Sequence, residues 1–238
     1  EKKFFDKAEK FALYQNVEGV FTTWNEYIEK IKVNQVDKDG KTVVLYTNDK
    51  EVQHSYIAEA KDKSYDVLIL DGPIISHLIQ KLEAEKENIS FVRVDADSID
   101  KLIKKGDDIP SVLSESDEKS LKEMIESIVS KDQYAVQFES LSPDSTPFVI
   151  TRSEFMRRMK EMSASGGGGM FGMENMPEMY NLVVNANHPL VSKVLSEKKS
   201  DNQKSMLKAA TDLAKLSQGL LKGEELTAFI KTRYNDLF

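Results

Sequence analysis

The side chains that could do chemistry in this chain are few and widely spaced. Asp71-Gly72-Pro73 follows an apolar run and precedes a helical pattern, a position where doubly wound sheets often place ligands. His188 lies beside a predicted helix start, where an imidazole could act as a base or as a hydrogen-bonding group. However, the loop lacks a glycine-rich phosphate fingerprint, and no nucleophile accompanies His188 in the local sequence. We therefore favour structural roles for both motifs and assign no catalytic residue.

The sequence also argues against a metal site. His54, His77 and His188 are far apart, and none has the spacing of a zinc ligand. The chain has no cysteine, which removes thiolate nucleophiles, cysteine ligands and disulfides and agrees with a reducing compartment. Carboxylates are abundant but scattered, mostly on solvated faces such as residues 115–126. We expect no bound metal.

Methionine is the residue type whose spacing points to a function. Seven of the nine methionines fall in two series on either side of Gly166–Gly169: Met156, Met159, Met162, and Met170, Met173, Met176, Met179. Methionine is unbranched and polarizable, so a surface rich in it can pack against partners of many shapes. The glycines add conformational freedom, and the combination in residues 155–179, here the Met-rich segment, favours promiscuous binding over catalysis. The same spacing is typical of a buried helix face, and the residues alone leave that alternative open.

Composition limits the partners. With 238 residues the chain can form one or two domains, and its net charge of −7 argues against a general surface for nucleic acid or anionic membranes. No apolar run is long enough to span a membrane, and no secretory signal opens the chain. We expect a cytoplasmic protein with no nucleic-acid or membrane partner. Because the chain starts at Glu1 rather than at Met, we also expect a fragment of a longer protein.

The first half of the chain predicts an α/β unit. Charged residues 1–15 predict a short helix, and helical spacing follows from Trp24. Predicted strands and helices then alternate, with strands at 42–47, 66–70 and 89–94 and helices at 50–61 and 74–83. This order implies right-handed crossovers and a small parallel three-layer unit. Residues 98–116 carry few large apolar side chains and predict a linker.

The second half predicts a mixed α+β domain. Residues 134–138 alternate like a half-buried strand, and residues 146–151 are its predicted antiparallel neighbour; a third strand is predicted at 179–185. A helix from Ser153 would carry Phe155, Met159 and Met162 on one face, and Met156 lies off that stripe and widens it. Arg157 and Arg158 are predicted to keep its other sides in solvent.

Two predicted helices end the chain, the first from Asp201 to a stop at Gly223 and the second from Glu224 to Asn235. Their apolar stripes are broad for terminal helices, which indicates either a core position or a surface for self-association. The predicted dimer interface consists of Met206, Leu207, Ala210, Leu213, Leu216, Leu220, Leu226, Phe229, Ile230 and Tyr234.

Three stretches in a fixed order resemble the C-terminal portion of heat-shock protein 90 chaperones of the bacterial type. Trp24–Gln35, followed by Val44–Thr47, is similar to the family's D-E-Y-I-x-R-M-K-x-x-Q motif and the strand after it. Tyr65–Ile74 is similar to Y-E-V-L-x-M-x-D-P-I, and Asn181–Val191 is similar to L-x-I-N-x-x-H-P-L/I-V/I. Together these matches span nearly the whole chain.

The resemblance implies an ATP-dependent, dimeric chaperone. Its nucleotide site, with ATP and magnesium, and the arginine that contacts the gamma-phosphate would lie upstream, so neither a cofactor nor ATPase activity is expected in this chain. Residues 1–110 would be the end of the middle domain, and residues 111–238 the C-terminal dimerisation domain.

The resemblance also implies where non-native client proteins would bind. In the family the amphipathic helix after the second C-terminal strand offers apolar residues to clients. The residues predicted here are Phe155, Met156, Met159, Met162, Met170, Phe171 and Met173. Ile75-Ser76-His77 replaces the family's D-E-aromatic and weakens the case for a second contact there, and the missing Met-Glu-Glu-Val-Asp tail argues against tetratricopeptide co-chaperones.

Two other functions stay open. The chain could be an α/β enzyme domain with a ligand site at the Asp71–Pro73 loop, which a bound small molecule or turnover would favour. It could also be an assembly module that dimerises but has no affinity for clients.

Overall fold

The computed structural model describes residues 11–72, 74–106, 109–153, 157–158 and 178–235. The chain divides into two compact units, one formed by Glu1–Asp107 with Ser153–Met176 and the other by Asp108–Arg152 with Pro177–Phe238. The fold is mixed, with helices and several small sheets.

A three-stranded parallel sheet organises the first unit. Strands β3 (Thr42–Thr47), β4 (Val67–Ile69) and β5 (Ile89–Arg93) pair in the order β4-β3-β5. Helices α2 (His54–Asp62) and α3 (Ile75–Glu85) lie in the connections between them. All six residues of the central strand are buried, as expected of a parallel strand that is covered on both faces. The sheet is parallel, as predicted.

Helix α1 (Trp24–Ile31) packs against this sheet because its apolar residues recur at helical spacing. Trp24, Tyr27, Ile28 and Ile31 are all buried, and the Trp24 ring stacks on Phe91 at 5.8 Å between centroids. The helix begins with a capping box, in which the Glu26 carboxylate accepts from the Thr23 backbone N–H at 2.8 Å.

The helix predicted over residues 1–15 is wrong for its described part. Strand β1 (Leu13–Gln15) instead forms an antiparallel pair with β2 (Phe21–Thr23). Asn16 organises the turn between them, because its side-chain oxygen accepts from the N–H groups of Glu18 at 3.1 Å and Val20 at 2.9 Å. This local turn chemistry and the strand pairing override a weak helical preference.

The predicted linker is also shorter than expected. The short helix α4 (Ile99–Leu102) begins within it, and Ile99, Leu102 and Ile103 are buried. Three apolar residues are enough to fix this stretch to the first unit, although the surrounding sequence is polar.

The second unit has a mixed sheet in the order β6-β8-β7, formed by β6 (Tyr134–Glu139), β7 (Phe148–Thr151) and β8 (Tyr180–Asn185). The prediction that β7 is the antiparallel neighbour of β6 is wrong. Strand β8 lies between them and pairs with β6 in parallel and with β7 in antiparallel orientation. The order of the strands in the sequence favoured pairing between consecutive strands. However, β8 is almost wholly buried and therefore needs a partner strand on each edge.

Four helices of the described chain accompany this sheet: α5 (Glu115–Glu126), α6 (Pro189–Ser196), α7 (Ser200–Ser217) and α8 (Gly223–Asn235). Ser114 is the N-cap of α5 and forms a capping box with Asp117. Helix α7 ends at Ser217, before the predicted stop at Gly223, and Gly219 follows it with a φ of 62°.

Candidate functional site

The loop after β4 has none of the features of a ligand site in its described residues. Asp71 is exposed, and Pro73 lies outside the described residues. Gly72 does not have a positive φ, and a Cβ added there would meet only the Ile75 side chain at an ordinary 3.7 Å. The backbone therefore does not require glycine for a close approach to a phosphate. Nothing described in this loop favours the enzyme interpretation.

His188 is a helix cap, as the preference for a structural role predicted. Its Nδ1 accepts from the Leu190 N–H at 3.0 Å, and Pro189 occupies the first turn of α6. Because Nδ1 accepts this backbone hydrogen bond, the His188 imidazole stabilises the first turn of α6.

Neither a metal centre nor a membrane span is found among the described residues. No three His, Asp or Glu side chains in that part of the chain are grouped so that they could hold a metal ion. Of the helices within the described ranges, none is both long and apolar enough to cross a membrane.

The predicted client-binding residues, Phe155, Met156, Met159, Met162, Met170, Phe171 and Met173, all lie outside the described residues. What the structure describes of the Met-rich segment is Arg157, Arg158 and its last two residues, Glu178 and Met179. Met179 is exposed.

Arg157 and Arg158 have partners in the first unit, which differs from the prediction that they face solvent. Arg158 donates to both carboxylate oxygens of Glu83, at 2.8 and 3.3 Å, and to the Phe91 carbonyl oxygen at 2.6 Å. Arg157 donates to the Tyr46 hydroxyl, and its guanidinium lies 5.7 Å from the centre of the Tyr46 ring. Both arginine side chains are half-buried.

At the ends of the Met-rich segment, two cations enclose a pair of stacked tyrosines. The rings of Tyr134 and Tyr180 lie 5.7 Å apart; Arg152 lies 5.0 Å from the Tyr180 ring, and the Lys215 ammonium lies 5.4 Å from the Tyr134 ring. We call these four residues the tyrosine column. It connects β6, β8 and α7 with the residue that follows β7.

Acidic residues neutralise both ends of the tyrosine column. Glu178 accepts from the Tyr180 hydroxyl and lies 3.7 Å from Arg152, while Glu225 of α8 lies 3.2 Å from the buried Lys215 ammonium. Burial, followed by the hydrogen bond to Glu178, raises the pKa of Tyr180 to about 12. Burial also raises the pKa of Tyr134, so both hydroxyls stay protonated at neutral pH.

The residues of the predicted dimer interface fall into two groups. Leu207 and Ala210 are buried in the core of the second unit, and Met206 and Leu220 pack against that core. Leu213, Leu216, Ile230 and Tyr234 are exposed, to between 43% and 61%, and Leu226 and Phe229 are half-buried. Substituting the first group would therefore disturb the fold, whereas the second group is accessible to a partner.

Helix α7 has exposed apolar residues beyond its core-facing side. At about 100° per residue, Leu216 points away from Leu207 and Ala214, which face the core, and Leu213 lies between these two sides. Helix α8 buries no residue at all, and its Leu226, Ile230 and Tyr234 recur every four residues along one stripe. This helix hairpin thus presents apolar surface that its own unit does not cover.

Comparison with known proteins identifies the family. No family model matches the chain. It is 38% identical to the chaperone protein HtpG of Porphyromonas gingivalis over 219 residues, which is 91% of this chain and 32% of that protein. It is 37% identical to HtpG of Bacteroides fragilis over 249 aligned residues, which include 100% of this chain and 36% of that protein, and 39% identical to HtpG of Bacteroides thetaiotaomicron over 84% of this chain.

The chain belongs to the HtpG family of heat-shock protein 90 chaperones. It spans about a third of the length of the curated relatives it matches, and the match covers a C-terminal portion of them. The resemblance drawn from the three sequence motifs is therefore confirmed.

Two features of this HtpG-family chain were missed by reasoning from its sequence. The partners of Arg158 are 75 and 67 residues away, so no local pattern marks them. The tyrosine column joins residues of β6, β8 and α7 with Arg152 after β7, which no local pattern links. A cationic residue beside a buried tyrosine is visible only once the strands are paired.

The tyrosine column should make the chain less stable at alkaline pH. Tyr180 ionises near pH 10 when the chain is unfolded but only near pH 12 when it is folded. The stability that the neutral hydroxyl contributes is therefore complete below pH 10 and is lost as the pH rises towards 12. Tyr180→Phe should make the fall in unfolding free energy over this range shallower, as measured by urea denaturation at a series of pH values.

Part of the slope should persist in Tyr180→Phe, because burial raises the pKa of Tyr27 and of Tyr134 as well. Equal slopes for the wild-type chain and Tyr180→Phe would contradict the expectation.

Proposed function

We propose that this chain is the part of an ATP-dependent, cytoplasmic HtpG-type chaperone that binds non-native client proteins and joins two protomers. Membership of the HtpG family supports the class of function. ATP and magnesium would bind in the part of the longer relatives that this chain does not match.

The observation that carries the client-binding proposal is the connection between β7 and β8. These strands are antiparallel neighbours, and a turn of two residues can join such a pair. Here residues 152–179 join them, and they contain seven methionines and a run of four glycines. Most connections between elements of compact domains are far shorter, with a median of about four to six residues. Strand pairing does not require the Met-rich segment, so its composition calls for another explanation.

Methionine on a long connection suits a binding partner without a fixed shape. Its flexible side chain adapts to irregular apolar surfaces, and unfolded clients differ in which apolar residues they expose. Among the described residues, the core of the second unit is formed by apolar side chains from β6, β7, β8, α5, α6 and α7.

Replacing Met159 and Met162 with serine should weaken client binding and spare the fold. The affinity for a permanently unfolded client, such as reduced and carboxymethylated α-lactalbumin, should fall by about tenfold in fluorescence anisotropy, because two apolar contacts are lost. Met206→Ser is the comparison variant, since Met206 packs against the core of the second unit and should affect stability rather than affinity. A loss of several kcal/mol of stability in the double variant would instead identify these methionines as core residues, as is typical of large-to-small changes.

The proposed dimer interface is formed by the exposed sides of α7 and α8. Two copies of this hairpin, related by a two-fold axis, would cover each other's apolar stripes as a four-helix bundle. Lys215 supports the arrangement within each protomer, because its ammonium is hydrogen-bonded to Glu225 at 3.2 and 3.3 Å and so ties α8 to α7.

Leu216→Glu combined with Ile230→Glu should convert the dimer to a monomer. Both residues are exposed in the protomer, so the change should leave its core intact and act only where a partner would bury the new charges. The mass should be measured by light scattering after size exclusion at tens of micromolar, where an interface of standard size is saturated.

Lys204→Glu is the matched control, since residue 204 is exposed on a side of α7 that lies away from Leu213 and Leu216. It introduces as much negative charge on the same helix and should remain dimeric. If the wild-type chain is a monomer under these conditions, the proposed interface is rejected.

We also propose that the chain has no ATPase activity of its own. The sequence contains no phosphate-binding loop, and the described backbone at Gly72 is not built for close contact with a phosphate. ATP hydrolysis by the purified chain should equal the buffer background in a coupled assay. Activity that a substitution of Asp71 abolishes would favour the enzyme alternative.

A further inference from the structure

Strand β6 is an edge strand, and alternate residues along it direct their backbone groups away from the sheet. The sheet order is β6-β8-β7, so β6 has a strand neighbour on one side only. The Gln133 carbonyl oxygen accepts from the Tyr180 N–H at 2.9 Å, and the Glu139 carbonyl oxygen accepts from the residue after β8 at 2.8 Å. Backbone groups alternate in direction along a strand, so the N–H and C=O groups of Val136 and Phe138 point away from β8.

The outward groups of Val136 and Phe138 have no hydrogen-bond partner within the described ranges of the chain. The edge of β5 in the first unit differs. There the Phe91 N–H donates to Glu83 Oε1 at 2.7 Å, and the Phe91 carbonyl oxygen accepts from Arg158 at 2.6 Å. An edge with free N–H and C=O groups is a template for pairing with another chain, and β6 presents such an edge.

The open edge borders a groove between β6 and α5. The groove has a volume of about 560 Å³ and is lined by residues 136–139 of β6 and by Glu115, Glu118, Lys119 and Lys122 of α5. These four side chains recur at i, i+3, i+4 and i+7, so they lie on one side of the helix. Seven steps of about 1.5 Å along α5 and three steps of about 3.3 Å along β6 both span roughly 10 Å. The β6 groove, as we call this edge with its groove, therefore has room for about four residues of extended chain.

The chemistry of the β6 groove suits a partner that is recognised by its main chain. The open edge offers backbone donors and acceptors, which another extended main chain matches along its length. The helix wall carries two carboxylates and two ammonium groups, so it does not select a partner of one charge. The lysine stems can also cover apolar side chains of different sizes. A non-native protein exposes extended segments of varied sequence and so meets each of these requirements.

We propose that the β6 groove is a client-binding site that takes an extended segment of a non-native protein as an added strand. The inference rests on the proposed client-binding function and adds a site in the second unit. The outward N–H and C=O groups of Val136 and Phe138 would form up to four hydrogen bonds with the segment. Because these bonds involve only the main chain, they do not depend on the sequence of the client, as binding to many clients requires.

Hydrogen exchange followed by NMR tests strand addition residue by residue. The probe is an uncharged, end-capped peptide of eight alternating threonine and valine residues, added to the whole chain. Without peptide, the amides of Val136 and Phe138 should exchange fast, whereas those of Ala135 and Gln137, which face β8, should be protected. Saturating peptide should slow exchange at Val136 and Phe138 by about tenfold and leave Ala135 and Gln137 unchanged, because only the outward amides gain an acceptor.

Filling the β6 groove should weaken binding. Lys122→Trp adds a ring on the groove side of α5, and the Lys122 side chain is 51% exposed, so the change should spare the core. The affinities for a fluorescein-labelled form of the peptide and for reduced, carboxymethylated α-lactalbumin should both fall by about fivefold in fluorescence anisotropy.

Two control variants separate the ring from its position and from the lost charge. Ser120→Trp adds the same ring on the side of α5 that lies away from the groove, where residue 120 is exposed, and should match the wild-type chain. Lys122→Gln removes the charge without filling the groove and should change either affinity by less than about twofold.

Three results would overturn the proposal. Unchanged exchange at Val136 and Phe138 with saturating peptide would mean that β6 accepts no strand. Slow exchange at these amides without peptide, increasing with protein concentration, would mean that a second copy of the chain occupies the edge. Weaker peptide binding by Lys122→Trp with unchanged affinity for α-lactalbumin would mean that the groove takes strands but not clients.

Failure of the proposed function would look different. If the wild-type chain does not bind α-lactalbumin at all, the client-binding function is rejected. The exchange data with the peptide would still show whether β6 accepts an added strand.

Discussion

Parallel strand pairing is the constraint on which both units depend. A parallel neighbour cannot be reached by a tight turn, so each such pair needs a crossover of about a dozen residues or more. In the first unit these crossovers contain α2 and α3, and the central strand β3 is buried throughout. In the second unit the path from β6 to its parallel partner β8 contains β7 and the Met-rich segment. Residues 140–151, which include β7, already supply about a dozen residues of this crossover, so the Met-rich segment adds length that the pairing of the strands does not require.

The two units differ in how the surface that their folds leave uncovered is satisfied: one leaves polar backbone groups at a sheet edge, and the other leaves apolar side chains on two helices. At the edge of β5, the backbone N–H and carbonyl groups of Phe91 are bound by the side chains of Glu83 and Arg158, within the same chain. On α7 and α8 the uncovered surface is apolar, and nothing in the described chain covers it. Two side chains are enough to form hydrogen bonds with the polar groups of one residue at a sheet edge. Burying an apolar stripe that runs along two helices requires a partner surface of similar size.

The sequence predicts what local patterns encode. The β-branched composition of β3 and the helical spacing from Trp24 identify their elements, because short-range composition and periodicity decide them. The order β6-β8-β7 was not predictable, since either edge of β6 could accept a partner and the choice depends on the whole core. For the same reason the apolar residues of α7 could not be divided between core and surface before the sheet was placed. Arg158 was assigned to solvent because its partner Glu83 is remote in sequence.

The central position of β8 has a consequence for how the chain is made. It is the last strand of its sheet to be synthesised, yet both other strands pair only with it. Phe148–Thr151, all of them buried in the finished sheet, leave the ribosome 34 residues before Asn185 completes β8, which takes about 2 to 7 seconds at typical rates of synthesis. Through that interval β6 and β7 lack the strand that pairs with both of them in the finished sheet. Unpaired strands with apolar residues are prone to aggregate, so synthesis of this unit includes a period of a few seconds in which the chain is open to mispairing.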